Sequence, residues 1–220
     1  MPRLIDVSHT VEAGLVTYPG LPAPLVCDFL SREASRAHYD EGTTFQIARI
    51  DMVANTGTYV DSPFHRYAHG ADLSGLALER LANLDAVVVD AAGAGRAVNW
   101  ATFEGQDLAG KAVLVRTGWD RNWATPAYFD GHPFLTRSVA ERLCNAGVSL
   151  VGIDSLNIDD TNDGSRPVHT ILLGAGIPIV EHLCALGTLP KAGFRFHAVP
   201  VKFKGVGTFP VRAYGVVSEG

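Results

Sequence analysis

The stretch SVAERLCNAGVSLVGID, Ser138 to Asp154, reads as a helix delivered straight into a strand. Ser138 and Glu141 have the spacing of a capping box, Val139, Leu143 and Cys144 fall on one helical face, and Gly147 is a C-terminal stop. The apolar run that follows is too short for another helix and is rich in β-branched residues, so it is expected to be a buried strand. Similar runs recur on both sides, at Leu4 to Ser8, Thr44 to Val53, Ala86 to Asp90, Ala112 to Thr117, Ile177 to Val180, Phe194 to Val199 and Val211 to Val217. Shorter helices are expected at Leu76 to Leu84, at Trp100 to Phe103 and around His169 to Leu173. Strands alternating with amphipathic segments imply an α/β fold with several strands buried on both faces.

The 220 residues fit one hydrophobic core, so a single domain spanning 1–220 is expected; no linker or repeat divides them. With 47% apolar and 19% charged residues, the chain has the composition of a globular protein that folds in water. No apolar run approaches the length needed to cross a bilayer, so no membrane partner is expected. A formal net charge of −5 offers no broad basic surface, which argues against nucleic acid. Cys27, Cys144 and Cys184 are odd in number and widely spaced, as free thiols would be. The opening MPRLIDVSHT lacks a secretory h-region, and a cytoplasmic location is expected.

Eight histidines direct attention to proton transfer and metal ligation, and NTGTYVDSPFHR, Asn55 to Arg66, is the densest place to look. Asn55, Gly57, Tyr59, Asp61, Pro63 and His65 share the odd positions of an extended chain and would face one side. Fully extended, Asp61 and His65 would stand roughly 13 Å apart, too far to share an ion. Pro63 resolves this: it starts a helical turn well and continues a central strand badly, with Ser62 or Asp61 as its cap. The strand would end near Asp61, and the turn would bring His65 back towards the carboxylate. On these residues alone, an Asp cap beside a surface imidazole fits as well as a functional site. His65 and His69 have H-x-x-x-H spacing but lack the accompanying Glu of a zinc-protease helix.

A resemblance gives these residues a context. The segment N-T-G-T-Y-V-D-S-P-F-H resembles the fingerprint H-x-G-T-H-x-D-x-P-x-H of the putative cyclase family, which includes bacterial kynurenine formamidase and isatin hydrolase. TYPGLPAP, AVLVRTGW, GVSLVGIDSLNID, VHTILLGAGIPIVEHLCAL and FHAVPVKFKGVGTFPVRAYGVV resemble further segments of that family in the same order, covering nearly the whole chain. The resemblance implies a swivelling β/β/α fold, a mixed sheet flanked by helices, assembled as a homodimer or homotetramer. It implies a metal-dependent hydrolase of a small amide, most of all an aryl formamide such as N-formylkynurenine, or of a related cyclic amide or ester.

The family holds up to two ions, zinc or manganese, on two early histidines, the Asp and a distant His and Glu. By resemblance, Asp61, His169 and Glu181 are the metal ligands here and His65 is catalytic. The two early histidines are replaced by Asn55 and Tyr59. A neutral amide and a phenol with a pKa near 10 are poor zinc ligands at pH 7, so one divalent ion is expected rather than two. Tyr59 and Asn55 would then stand as neutral donors near the reacting carbonyl, Tyr59 catalytic and Asn55 binding substrate, with Tyr18 and Trp119 as further substrate contacts. The same replacements admit a second reading, a metal-free relative that binds a small ligand or does non-hydrolytic work on the inherited scaffold. His9 ends the first strand, either in the site or on a solvent edge; His182 is expected to be structural; His38, His132 and His197 are expected to be surface or core residues.

Overall fold

The runs LDAVVVD, AVLVR and LVGI are apolar at nearly every position because they lie side by side in the middle of a sheet covered on both faces. In the computed structural model, which describes residues 1–218, they are the strands β5, β7 and β9. The strands are β1 (Arg3–Asp6), β2 (Leu25–Leu30), β3 (Ile47–Asp51), β4 (Tyr59–Asp61), β5 (Leu84–Asp90), β6 (Ala97–Val98), β7 (Ala112–Arg116), β8 (Phe134–Leu135), β9 (Leu150–Ile153), β10 (Ile179–Glu181), β11 (Ala192–His197), β12 (Thr208–Pro210) and β13 (Tyr214–Val217). The α-helices are α1 (Arg32–Ser35), α2 (Arg137–Asn145) and α3 (Pro167–Gly174).

Nine strands form one sheet in the order β1-β13-β11-β5-β7-β9-β10-β4-β12. Its centre, β5-β7-β9-β10, is parallel, and both flanks are antiparallel. This is the mixed α/β sheet the sequence implied. Alternate side chains feed two cores. Val87, Val89, Val113, Val115, Val151 and Ile153 pack with α2 and α3 on one face. Ala86, Val88, Ala112, Leu114 and Leu150 point the other way, against Leu183, Leu186, Phe194 and Phe196.

Local details depart from the sequence reading in three places. The N-cap of α2 is Thr136, whose carbonyl accepts from the Val139 and Ala140 amides; Ser138 lies inside the helix, and the expected capping box is absent. Gly147 does end the helix, at φ +68°, with its amide on the Cys144 carbonyl. The segment expected as a helix from Leu76 to Leu84 keeps only the 3-10 turn Leu78–Arg80, because Leu84 is already the first residue of β5. The strand expected at Thr44 to Val53 is β3, which pairs with β2 in a separate hairpin whose residues are almost all exposed.

The sheet order matters most at β10-β4-β12. There Glu181 lies opposite Tyr59, and Thr208 lies opposite Asp61. Four polar residues from three distant parts of the chain thereby come to one end of the sheet, and all four are buried. The backbone turns as expected at Pro63, the first residue of the 3-10 turn Pro63–His65, although Ser62 caps it without a side-chain hydrogen bond. Gly207 passes against that turn, its carbonyl accepting from the Ser62 amide at 2.7 Å. A Cβ at Gly207 would fall 2.5 Å from the His65 backbone nitrogen, so only glycine lets the strand lie this close.

Candidate active site

Asp61 ends β4 fully buried, and its two oxygens have different fates. Oδ1 accepts a short hydrogen bond from the Thr208 hydroxyl. Oδ2 has no hydrogen-bond partner at all among the described residues and faces His169 Nε2 at 3.7 Å. A bare buried carboxylate oxygen is costly, and positions of this kind are filled by cations.

His169 is set by its surroundings to meet that need. It sits in the first turn of α3, where the Asp159 carboxylate accepts from the Val168 amide (2.7 Å), the His169 amide (3.0 Å) and His169 Nδ1 (2.7 Å). Asp159 thus caps the helix and fixes the ring. With Nδ1–H donated to Asp159, Nε2 points at Asp61 Oδ2 and, 3.8 Å away, Glu181 Oε1. Burial disfavours the imidazolium, but the carboxylates of Glu181, Asp159 and Asp61 outweigh it and raise the His169 pKa. Burial raises that of Glu181. The His169 shift reflects the negative charge gathered around its ring.

His65 completes the cluster from the turn after β4. The Thr208 hydroxyl has one proton, which goes to Asp61, so it accepts from His65 Nδ1–H at 2.8 Å. That leaves His65 Nε2 as a free base. Asp61, His65 and His169 offer ligand atoms all within 4.8 Å of one another. Glu181 is outside this trio. Its Oε1 accepts from the Ile158 amide at 2.6 Å and its Oε2 from the Tyr59 hydroxyl at 2.7 Å. The orphaned Asp61 oxygen, a histidine with its far nitrogen anchored on a carboxylate and a second imidazole fit a divalent cation in both donor type and spacing.

Tyr59, expected as a donor to a reacting oxyanion, is corrected by the same geometry: its single proton is committed to Glu181. Burial, with the Glu181 charge, holds the phenol far above its ordinary pKa, and it stays neutral. Asn55 and Tyr18 do line the cavity above the cluster, a space of about 290 Å³. Tyr18 donates to the Leu156 carbonyl and accepts from the Asn157 amide, which pins it in the wall. Trp119, expected as a substrate contact, is not in the lining. Its indole N–H requires a partner and takes the Tyr128 carbonyl at 3.0 Å, which turns the ring elsewhere.

The other histidines sort as follows. His9 is not on a solvent edge; its ring stacks on Trp123 at 3.9 Å. His182 is fully buried at φ +55°, ringed by Tyr18, Tyr59, Trp123 and Tyr128, with Nδ1 on the Tyr128 hydroxyl at 2.9 Å. His69 is exposed, because the turn carrying His65 ends at Arg66. The sequence reading missed Asp159, Thr208, Asn157, Arg66 and Arg166.

His182 has a measurable consequence. Burial, reinforced by the nearby His9 and His132, lowers its pKa from 6.5 to about 3. Below pH 6.5 the unfolded chain therefore binds a proton that the folded chain refuses, and stability is lost as pH falls. Relative to His182→Phe, the native protein is expected to lose about 2 kcal/mol between pH 7 and pH 5. Urea unfolding of both proteins across that range reads the difference. A gap independent of pH means that the imidazole binds its proton equally in the folded and unfolded chains, and contradicts the lowered pKa.

Comparison with known proteins places this geometry. The family described as "Putative cyclase" matches residues 5–160, more than two thirds of the chain. The chain belongs to the cyclase family. Curated relatives include proteins named kynurenine formamidase from Delftia acidovorans, 27% identical over 218 residues with 96% of each chain covered, and from Paracidovorax citrulli, 29% identical over 225 residues with the same coverage. Among solved structures, isatin hydrolase A from Ralstonia solanacearum superposes with a TM-score of 0.82 at 22% identity, covering 99% of this chain and 92% of that one. A protein described as a potential metal-dependent hydrolase with cyclase activity superposes at 0.80 and 23% identity, over the full length of both. Those two likenesses establish that the cyclase fold is shared.

Proposed function

We propose that the chain hydrolyses a small amide with one divalent metal ion, its substrate being an aryl formamide such as N-formylkynurenine or a related cyclic amide or ester. The observation that carries this reading is the unpartnered Asp61 oxygen facing His169 Nε2 at the floor of a cavity. Full-length likeness to kynurenine formamidases supports the choice of substrate. A divalent ion, when bound, polarises the carbonyl and lowers the pKa of water to near neutrality. Asp61 and His169 would hold it, with Glu181 as third ligand, which leaves His65 for proton transfer; carboxylate and imidazole donors suit zinc and manganese alike. The neutral Asn55 and the committed Tyr59 leave no donor set for a second ion.

The chain's own groups do the rest. His65, its Nδ1–H engaged by Thr208, takes the proton of the attacking water at Nε2 and returns it to the leaving nitrogen. Asn55 contributes a neutral amide donor to the carbonyl oxygen. Tyr59 holds Glu181 in place, and Tyr18 with Asn157 walls the cavity. Protein stripped with chelator is expected to lose formamidase turnover and to recover it on adding about one equivalent of zinc or manganese per chain. Undiminished turnover by metal-free protein would refute the metal-dependent mechanism.

Assembly as a homodimer or homotetramer belongs to the same proposal. The β2–β3 hairpin exposes Leu25 (58%), Phe29 (75%) and Ile50 (59%), an apolar surface better suited to a second copy than to water. Sedimentation of the purified chain is expected to give a dimer or larger; a monomer at micromolar concentration contradicts it. All three thiols are free, which supports a working place in the reducing cytoplasm; no helix among the described residues is long and apolar enough to cross a membrane.

A further inference from the structure

The cavity is electrically divided. Its floor is acidic, with Asp61 and Glu181 behind His169, whereas two arginines from different elements, Arg66 and Arg166, line the same space. Neither guanidinium lies within 4.0 Å of a carboxylate among the described residues, unlike those of Arg96, Arg116, Arg195 and Arg212, each paired with an aspartate. Both are nonetheless held in position. Arg166 Nη1 donates to Asn157 Oδ1 at 3.0 Å, and Arg66 Nε donates to Thr170 Oγ1 at 3.3 Å. The Thr170 hydroxyl in turn donates to the Arg166 carbonyl at 2.7 Å, so one side chain ties the two arginines together.

The backbone of Arg166 is also unusual. It occupies the left-handed region, φ +44° and ψ +60°, as the residue before Pro167 at the start of α3. A long β-carbon-bearing residue is strained there, and strain of this kind gathers at functional sites. Two unpaired, prepositioned guanidiniums beside a reactive cluster are suited to one class of ligand group, a planar oxyanion that can accept two parallel N–H bonds.

We propose that Arg66 and Arg166 are specificity-determining residues, a carboxylate-recognition pair at the cavity wall that favours an aryl formamide with a remote carboxylate over neutral cyclic amides or esters. The pair rests on the amide-hydrolase reading of the cavity and goes beyond it by assigning the residues that choose among its candidate substrates. The acidic floor repels an anionic group and the arginines attract it. The neutral amide therefore enters first, towards His65 and His169, with the carboxylate left at the wall. Orientation of this sort brings the reacting carbonyl to the base without contacts to the bond that breaks.

The test compares N-formylkynurenine with its methyl ester, which differ in the charge of the carboxylate. The native enzyme is expected to prefer the acid, and the preference to weaken as salt is raised. In Arg66→Gln/Arg166→Gln the ratio of kcat/KM for acid over ester is expected to fall about 10- to 100-fold, mainly through KM. Arg66→Lys and Arg166→Lys should retain part of it, since charge survives without the planar fork. Equal losses on both substrates would assign the arginines a structural role and overturn the proposal, as would an unchanged ratio. Should Arg166→Gln fail to fold, Arg166→Asn, which tolerates the left-handed region, and Arg66→Gln alone give the same comparison. If the native protein hydrolyses neither compound, the amide-hydrolase reading fails, and calorimetric binding of kynurenine becomes the measure. Binding lost in the double variant then supports the pair; equal binding by both proteins, or binding by neither, overturns it.

Discussion

Asp61→Asn is expected to lower formamidase turnover by about 10³-fold or more and to abolish stoichiometric metal binding, while the protein stays folded. The side chain keeps its shape, and an amide oxygen can still accept from Thr208, so the strand β4 and the turn at Pro63 keep their supports. What disappears is the anionic oxygen facing His169 Nε2. Steady-state kinetics with elemental analysis and thermal unfolding on one preparation separate these effects. Activity within tenfold of native, with metal still bound, means that Asp61 is not a ligand.

Asp159→Ala should show the largest loss of stability of any single change near the site, about 3–5 kcal/mol. One carboxylate there serves the His169 ring and two amides at the start of α3. Truncation leaves three donors unsatisfied in a buried position and frees the imidazole to rotate. Metal affinity is expected to fall about 10- to 100-fold in whatever fraction remains folded, the usual cost of losing the partner that orients a histidine ligand. Urea unfolding and metal titration of the variant check the two effects. A loss below about 1 kcal/mol contradicts the role given to Asp159.

Much of the sheet was legible because its central strands are buried on both faces, and continuous apolar runs such as AVLVR admit few other homes. The short strand β12 is harder to see. Its three residues, TFP, become a strand through pairing with β4 rather than through their own pattern. Pro63 gave the turn that returns His65 to Asp61, a local effect fixed by one ring. Thr208 was hidden because its importance comes from cross-strand register, opposite Asp61 from 147 residues away. Asp159 looked like one more acid in the polar loop NIDDTND; only the docking of α3 turns it into a cap and an imidazole anchor. Tyr59 was found as a position but misread as a role, since nothing local reveals that Glu181 will sit across from it. Trp119 failed for a similar reason, its indole proton being claimed by a carbonyl nine residues further on.

The account stands on one cation held between Asp61 Oδ2 and His169 Nε2. Crystals grown with zinc or manganese, measured at the absorption edge of the metal, test it most directly. The predicted result is a single anomalous peak between those two atoms at full occupancy, lost in Asp61→Asn. A native map with no peak at saturating metal, or with its only peak away from both side chains, would contradict the account.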